Sequence, residues 1–264
     1  MNETIAVFKI AWEQEFVYRL NFVLWRVRTV LQFLLVYFIW WTIFQSQNEL
    51  FGYTRRSILT YILLIALTRA IVLSSRANDI MNKINDGSIA NFLLRPIGLI
   101  RFYLAQDIAD KLLNSLFMVF EISLIILLRN PQIAFQTSIG NIILFILSLF
   151  LGIILWFCIN IMIGLMAFWV ENSWGPMFLL MIFMEGLGGG LFPIDILPKG
   201  VFNFLMMTPF PYLIYFPAKL YLGGFSSQQL ISYFSILLIW VFILYLLMNL
   251  TLKKGLKHFT SVGG

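Results

Sequence analysis

The sequence predicts an all-α polytopic membrane protein. It reads as six transmembrane helices, an N-terminal amphipathic interfacial helix, a short cytoplasmic helix between spans 2 and 3, and a broken re-entrant hairpin between spans 5 and 6. Three observations carry this. Of 264 residues, 61% are hydrophobic and 11% charged, with a mean hydropathy of +0.90, whereas soluble domains run near 45–50% apolar and about 25% charged. The apolar residues fall in runs long enough to cross a ~30 Å hydrocarbon core, which takes about 20 helical residues. The polar residues gather between those runs, above all in 78–111, which holds Asp79, Lys83, Asp86, Arg95, Arg101, Asp107, Asp110 and Lys111.

Residues 1–21 open the chain. Ile5, Phe8, Trp12, Phe16 and Leu20 recur at helical spacing, with Glu13, Gln14 and Arg19 elsewhere, which predicts an amphipathic helix lying in the membrane interface with Trp12 and Tyr18 at headgroup depth. The segment lacks the basic-then-apolar order of a cleaved signal peptide. The first span is 22–44, with Arg26 and Arg28 near its start, placed to snorkel to the headgroups. A short polar loop, 45–57, leads to the second span, 58–77, which carries Arg69. After the charged segment (79–96), residues 97–111 read as an interfacial lead-in to the third span, 105–128, which carries Glu121. The fourth run, 139–170, would be about 48 Å long at ~1.5 Å per residue, so it must tilt or bend, with Gly152 and Gly164 as candidate bend points. A tight turn at Glu171, Asn172 and Ser173 precedes the fifth span, 174–190.

The fifth span runs into Gly188-Gly189-Gly190 and a stretch, 191–217, that stays apolar but is broken by Pro193, Pro198, Pro209, Pro211 and Pro217. Proline interrupts the helical hydrogen-bond ladder, and non-helical backbone is tolerated at membrane depth only where protein or water covers it. A re-entrant hairpin satisfies both conditions. The sixth span, 230–250, is followed by Lys253, Lys254, Lys257 and His258.

The net charge of +6 reads as membrane orientation rather than affinity for nucleic acid, because the basic residues are distributed by side. Lys9, Arg19, Arg26, Arg28, Arg76, Lys83, Arg95, Arg101, Lys111, Lys253, Lys254 and Lys257 fall on one side; Arg55, Arg56, Arg129, Lys199 and Lys219 fall on the other. The positive-inside rule places both termini and the charged segment in the cytoplasm of a multi-pass plasma (inner) membrane protein, and the proline-rich hairpin outside. The partner implied is the lipid bilayer, with no nucleic acid.

The residues offer little for catalysis. His258 is the only histidine and Cys158 the only cysteine, so no disulfide framework or thiol metal site is predicted. No nucleophile elbow, zinc-protease or phosphate-loop pattern occurs. A chain without a nucleotide site can be driven only by a partner or by an ion gradient. Arg69, Glu121 and Glu185 are ionisable residues inside spans, where charge is costly and finds a partner. Depth counting pairs Arg69 with Glu121, or with Glu185 if the fifth span is the nearer neighbour. Such a pair is either a staple between helices or the polar lining of a path. In the charged segment, Ile80 and Ile84 share one face, Asp79 and Lys83 form an i,i+4 pair on another, Gly87 ends the helix and Ser88 caps the next turn.

The stretches DIMNKINDGSIANFLLRPI (79–97) and GGGLFPIDILPKGVFNFLMMTPFPYLIYFPAKLYLGG (188–224), set in this layout, resemble the ABC-2 type transporter permeases, in particular their compact six-span bacterial branch. The resemblance implies an export permease that forms the translocation path. It would pair with itself or with a second permease and recruit a separate ABC ATPase carrying the ATP and Mg, so that this chain has no cofactor and is no enzyme. Asp79, Ile80, Lys83, Ile84, Asp86 and Gly87 would form the coupling helix gripped by the ATPase. Gly189, Phe192, Pro193, Pro198, Pro209 and Pro211 would belong to an outer gate. The alternative is an ion-gradient-driven secondary transporter using Arg69, Glu121 and Glu185. Its usual paired broken helices are absent from the first half.

Overall fold

A computed structural model describes residues 3–17, 19–129, 133–170 and 174–259. Tyr18 and the turn at 171–173 lie outside the described residues. The described residues are mostly helical, with one small hairpin among them.

Helix α1 (Glu3–Val17) is followed by α2 (Arg19–Ile43). The polar loop contains strands β1 (Glu49–Leu50) and β2 (Tyr53–Thr54), paired antiparallel. Phe51 and Gly52 between them both have positive φ (54° and 76°), the backbone of a primed hairpin turn. Thr54 caps α3 (Arg55–Thr68), its hydroxyl accepting from the Ser57 amide. The last turn of this span widens to a π-helix, Arg69–Leu73. The charged segment forms a 3₁₀ turn (Ala77–Asp79) and two short helices, α4 (Ile80–Asn85) and α5 (Ile89–Leu93).

The expected lead-in and third span are one continuous helix, α6 (Leu99–Arg129). Helix α7 (Ile139–Leu165) is capped by Ser138 and tightens into a 3₁₀ turn at Met166–Phe168. It does not break at Gly152. A Cβ there would meet Val72 Cγ1 at 3.4 Å and the Tyr212 carbonyl at 3.6 Å, ordinary van der Waals contact with the neighbouring segments. Helix α8 (Trp174–Gly186) is followed by a 3₁₀ turn (Ile194–Ile196), α9 (Lys199–Leu205), a second 3₁₀ turn (Phe210–Leu213) and α10 (Tyr215–Leu222). A left-handed Gly223 (φ 78°) ends α10. Helix α11 (Ser227–His258) starts with a capping box of Ser226 and Gln229.

Among the described residues, four helical stretches are long and apolar enough to cross a membrane: Arg19–Ile43, Arg55–Leu73, Ile139–Phe168 and Ser227–His258. They differ in position. Of the apolar window in Arg55–Leu73, 67% is buried inside the protein, against 11% in α11. Helix α3 is therefore central, and α11 turns most of its apolar surface outward, where only lipid would accommodate it. Helix α8 is the odd element. Its 13 residues extend about 20 Å, short of a ~30 Å core, so the chain leaves the helix partway across.

The core gathers α3, α7 and the residues around α10. Tyr212, Leu213, Ile214, Tyr215, Phe216 and Ala218 have no exposed surface. The last part of the proline-broken stretch is thus packed interior, whereas Pro198, Phe204 and Met207 before it are exposed. Contacts sort the connections into two ends. At one end α4 packs against α7 and the Met166–Phe168 turn, and α1 runs along α6. At the other, Arg56 donates to the Ile133 carbonyl, the Ala134 amide to Thr60, and Gln136 to the Tyr221 carbonyl.

Candidate functional site

The charged segment is anchored by its apolar face. Ile80 and Ile89 have no exposed surface, and Ile84 and Phe92 keep 7% and 3%. The sequence pattern placed Ile80 and Ile84 on one face, and that face points inward. Asn82, Asn85, Asp86 and Asn91 are left exposed. The expected Asp79–Lys83 ion pair does not close. Lys83 Nζ turns instead to an aromatic box, 5.1 Å from the Phe92 and Phe102 ring centres and 5.6 Å from that of Tyr103. Ring faces attract a cation, the more so when it is partly desolvated. Burial, and then the charge of Arg95, hold the Lys83 pKa below its ordinary value. Gly87 takes φ 73°, as a residue ending a helix does. Ser88 makes no side-chain cap to α5. Its amide donates to Asp86 Oδ1 at 2.8 Å, and its hydroxyl and amide hold the Asp86 carboxyl below the usual range.

Among the described residues, the helical backbone breaks after α3 and after α8, and at each break the freed carbonyls are met by donors from other segments. At the end of α3, Lys111 Nζ donates to the Val72 carbonyl (2.9 Å) and the Ser74 carbonyl, and Trp156 Nε1 to the Leu73 carbonyl (2.8 Å). After α8, the Tyr215 amide donates to the Gly188 carbonyl at 3.0 Å. Tyr61 Oη donates to Gly189 O (2.8 Å), Arg69 Nη2 to Gly190 O (3.2 Å) and Trp40 Nε1 to Leu191 O (2.9 Å). Lipid supplies no donors, so these bonds are what allow the chain to leave the helix at this depth.

Arg69 belongs to both breaks, since it opens the π turn and caps the glycine run. It also pairs with Glu185, Nη2 to Oε2 at 2.5 Å, with side chains 19% and 32% exposed. Gln32 Nε2 holds the other carboxylate oxygen at 3.1 Å. Of the two expected pairings, the structure takes Arg69–Glu185. A crevice of about 40 Å³ beside it is lined by Thr29, Gln32, Phe33, Ile65, Arg69 and Gly190, among others. That is room for on the order of one water molecule. Arg69 Nε is buried without a hydrogen-bond partner among the described residues.

Glu121 is not brought to Arg69. It is held by Arg26, through Nε to Oε1 at 2.9 Å and a second bond from Nη2. Arg26 is 8% exposed, so it does not snorkel, and its Nη1 reaches Asn114 at 3.3 Å. Counting residues along a helix fixes depth but not direction. Glu121 and Asn114 lie two turns apart on one stripe of α6, and that stripe faces α2. The stripe continues downward in Lys111 and Asp110. Arg76 joins Asp110 (3.6 Å) to Glu15 of α1. Sequence reasoning missed Lys111, Arg76 and Glu15 as partners. For Lys111 the signal was its i,i+4 spacing from Asp107, to which it pairs at 3.3 Å; no spacing in the sequence pointed to Arg76 and Glu15.

At the opposite end, Asp195 stands between Pro193 and Pro198. Lys219 Nζ reaches it at 2.6 Å and Tyr53 Oη of the β hairpin at 2.9 Å. Pro193 and Pro211 are buried, Phe192 and Pro209 are partly buried, and Pro198 is exposed. Gly189 has φ 85°, and a Cβ there would come within 2.8 Å of Tyr215 Cβ.

Long apolar helices, charges paired between them and a helical break with capped carbonyls fit a multi-pass membrane protein. A family model described as "ABC-2 family transporter protein" matches residues 30–263, and the chain belongs to that family of membrane transport components. No curated protein matches the sequence. The match leaves α1 and the start of α2 outside it, so their part rests on the physical argument alone.

Proposed function

We propose that this chain is the membrane-spanning permease subunit of an ATP-binding cassette exporter, driven by a separate ATPase that carries ATP and Mg. Family membership supports the transport role. The observation that carries the coupling is the two-sided charged segment: an apolar face locked into the bundle and a polar face, Asn82, Asn85, Asp86 and Asn91, left open. A partner pressing on that face would move α4 and α5 as one body, because Ile80, Ile84 and the Lys83 box tie them to α6 and α7. Asp79, Asp86 and Gly87 belong to the gripped side, and Ile80, Lys83 and Ile84 to the anchoring side.

In this reading α6 and α8 complete a six-span count, α8 together with the broken stretch that follows it. Both termini lie in the cytoplasm of the plasma (inner) membrane. The Arg69–Glu185 pair is partly exposed at membrane depth, which hydrocarbon does not tolerate. A second permease, identical or sister, would cover it and enclose the path there. Gly189, Phe192, Pro193, Pro198, Pro209 and Pro211 would form the outer gate, tied shut by Asp195 and Lys219. The split of the intramembrane charges into separate pairs, Arg69–Glu185 and Arg26–Glu121, weighs against a continuous ion relay. The test is co-purification. The full chain should bring down an ATP-hydrolysing subunit, and replacing residues 79–86 by a Gly/Ser linker should abolish this in a chain that still elutes monodisperse. An intact complex after that replacement would refute the coupling assignment.

A further inference from the structure

We infer that the chain carries a site for an anionic phospholipid of the cytoplasmic leaflet, in the cavity between the first turn of α6 and the end of α11. The cavity is about 330 Å³ and is lined by Gly98, Leu99, Ile100, Arg101 and Leu252, near the lower limit of small-ligand pockets, about 300 Å³. Its walls are apolar except for one guanidinium. Lys253 and Lys254 directly follow Leu252 and are exposed, as are Arg95 and Arg101. No acidic residue occurs between Asp86 and Asp107, nor anywhere in α11, so both walls are of one sign.

An apolar floor that includes Arg101 fits an amphiphile, with a phosphodiester at the guanidinium and the glycerol and first methylenes on Leu99, Ile100 and Leu252. Free phosphate would gain nothing from the apolar wall. Basic pockets between membrane helices on the cytoplasmic side are where anionic headgroups are held. The inference rests on the proposed orientation, which puts this end of the bundle at the inner leaflet, and does not depend on the ATPase.

The test uses the full-length chain in neutral detergent, titrated with phosphatidylglycerol or with phosphatidylcholine of the same acyl chains. Binding is read as retained lipid in native mass spectra and as a shift in melting temperature. Phosphatidylglycerol should be retained in preference, and the preference should fall at least about fivefold in Arg101→Gln, further in Arg101→Gln/Lys253→Gln/Lys254→Gln, and at raised salt. Arg19→Gln, outside the residues that line the cavity, should keep it. Equal retention of the two lipids, an unchanged preference in the triple variant, or the same melting shift from inorganic phosphate would each overturn the assignment. Arg101→Cys, labelled by an impermeant thiol reagent in whole and in opened cells, reads the orientation separately. Labelling from outside would sink the orientation whatever the lipid result.

Discussion

Arg69 shows how one side chain serves both structure and site. Its guanidinium caps the Gly190 carbonyl and pairs with Glu185, so the glycine beside it must stay bare. A Cβ at Gly190 would lie 2.9 Å from Glu185 Oε2 and closer still to Arg69 Nη2. Gly190→Ala is expected to cost about 1–3 kcal/mol through displaced hydrogen bonds, read as lowered thermal stability in detergent. Gly200→Ala, where a Cβ meets nothing within 4 Å, should leave stability unchanged or slightly raised. The Arg26–Glu121 pair makes a second case, its side chains being 10% and 17% exposed. Arg26→Leu should destabilise by about 3–5 kcal/mol because it strands Glu121, while Arg26→Leu/Glu121→Leu should recover most of that loss. A double variant no more stable than the single one would show that the pair is not the source of the cost.

At the scale of elements, legibility followed periodicity. The long apolar runs that became α2, α7 and α11 were plain in the sequence, and so was the two-faced segment around Ile80 and Ile84. What sequence could not supply was direction around a helix. Lys83 and Asp79 stand at the right spacing for an ion pair, yet Lys83 turns to rings contributed by α5 and α6, which come close only in three dimensions. The prolines announced a broken stretch after α8, and the structure adds why it is stable: Tyr61, Trp40 and Arg69, far away in sequence, bring donors to its carbonyls. Two glycines had opposite meanings. Gly152 sits inside a continuous helix, whereas Gly189 takes a left-handed backbone, and composition alone does not separate them. Lys83→Met should remove about 0.5–1 kcal/mol of cation–π attraction and loosen α4 and α5 from α6, seen as faster amide exchange in 80–93 with exchange in α7 unaffected. Equal exchange in both proteins would mean the box does not hold the segment.

For the whole molecule, the account joins a grip at one end to a latch at the other through a central bundle. Lys111 links the first of these to the membrane interior: it lies on α6, above the aromatic box, and caps the π turn that begins with Arg69. Contacts thus run continuously from the segment of α4 and α5 through α6 to the π turn that begins with Arg69, and under the proposed function this is the route along which the partner would act. The central claim is that an outside ATPase acts on the exposed face of this segment. A direct measurement is nucleotide hydrolysis by the purified complex carrying Asn82→Arg/Asn91→Arg, substitutions confined to exposed positions, alongside the melting temperature of the permease alone. The account predicts an unchanged melting temperature, with hydrolysis that co-purifies lost or reduced at least about tenfold, as for interface positions worth more than ~1.4 kcal/mol. A complex of normal yield and normal hydrolysis, with the same melting temperature, would contradict it.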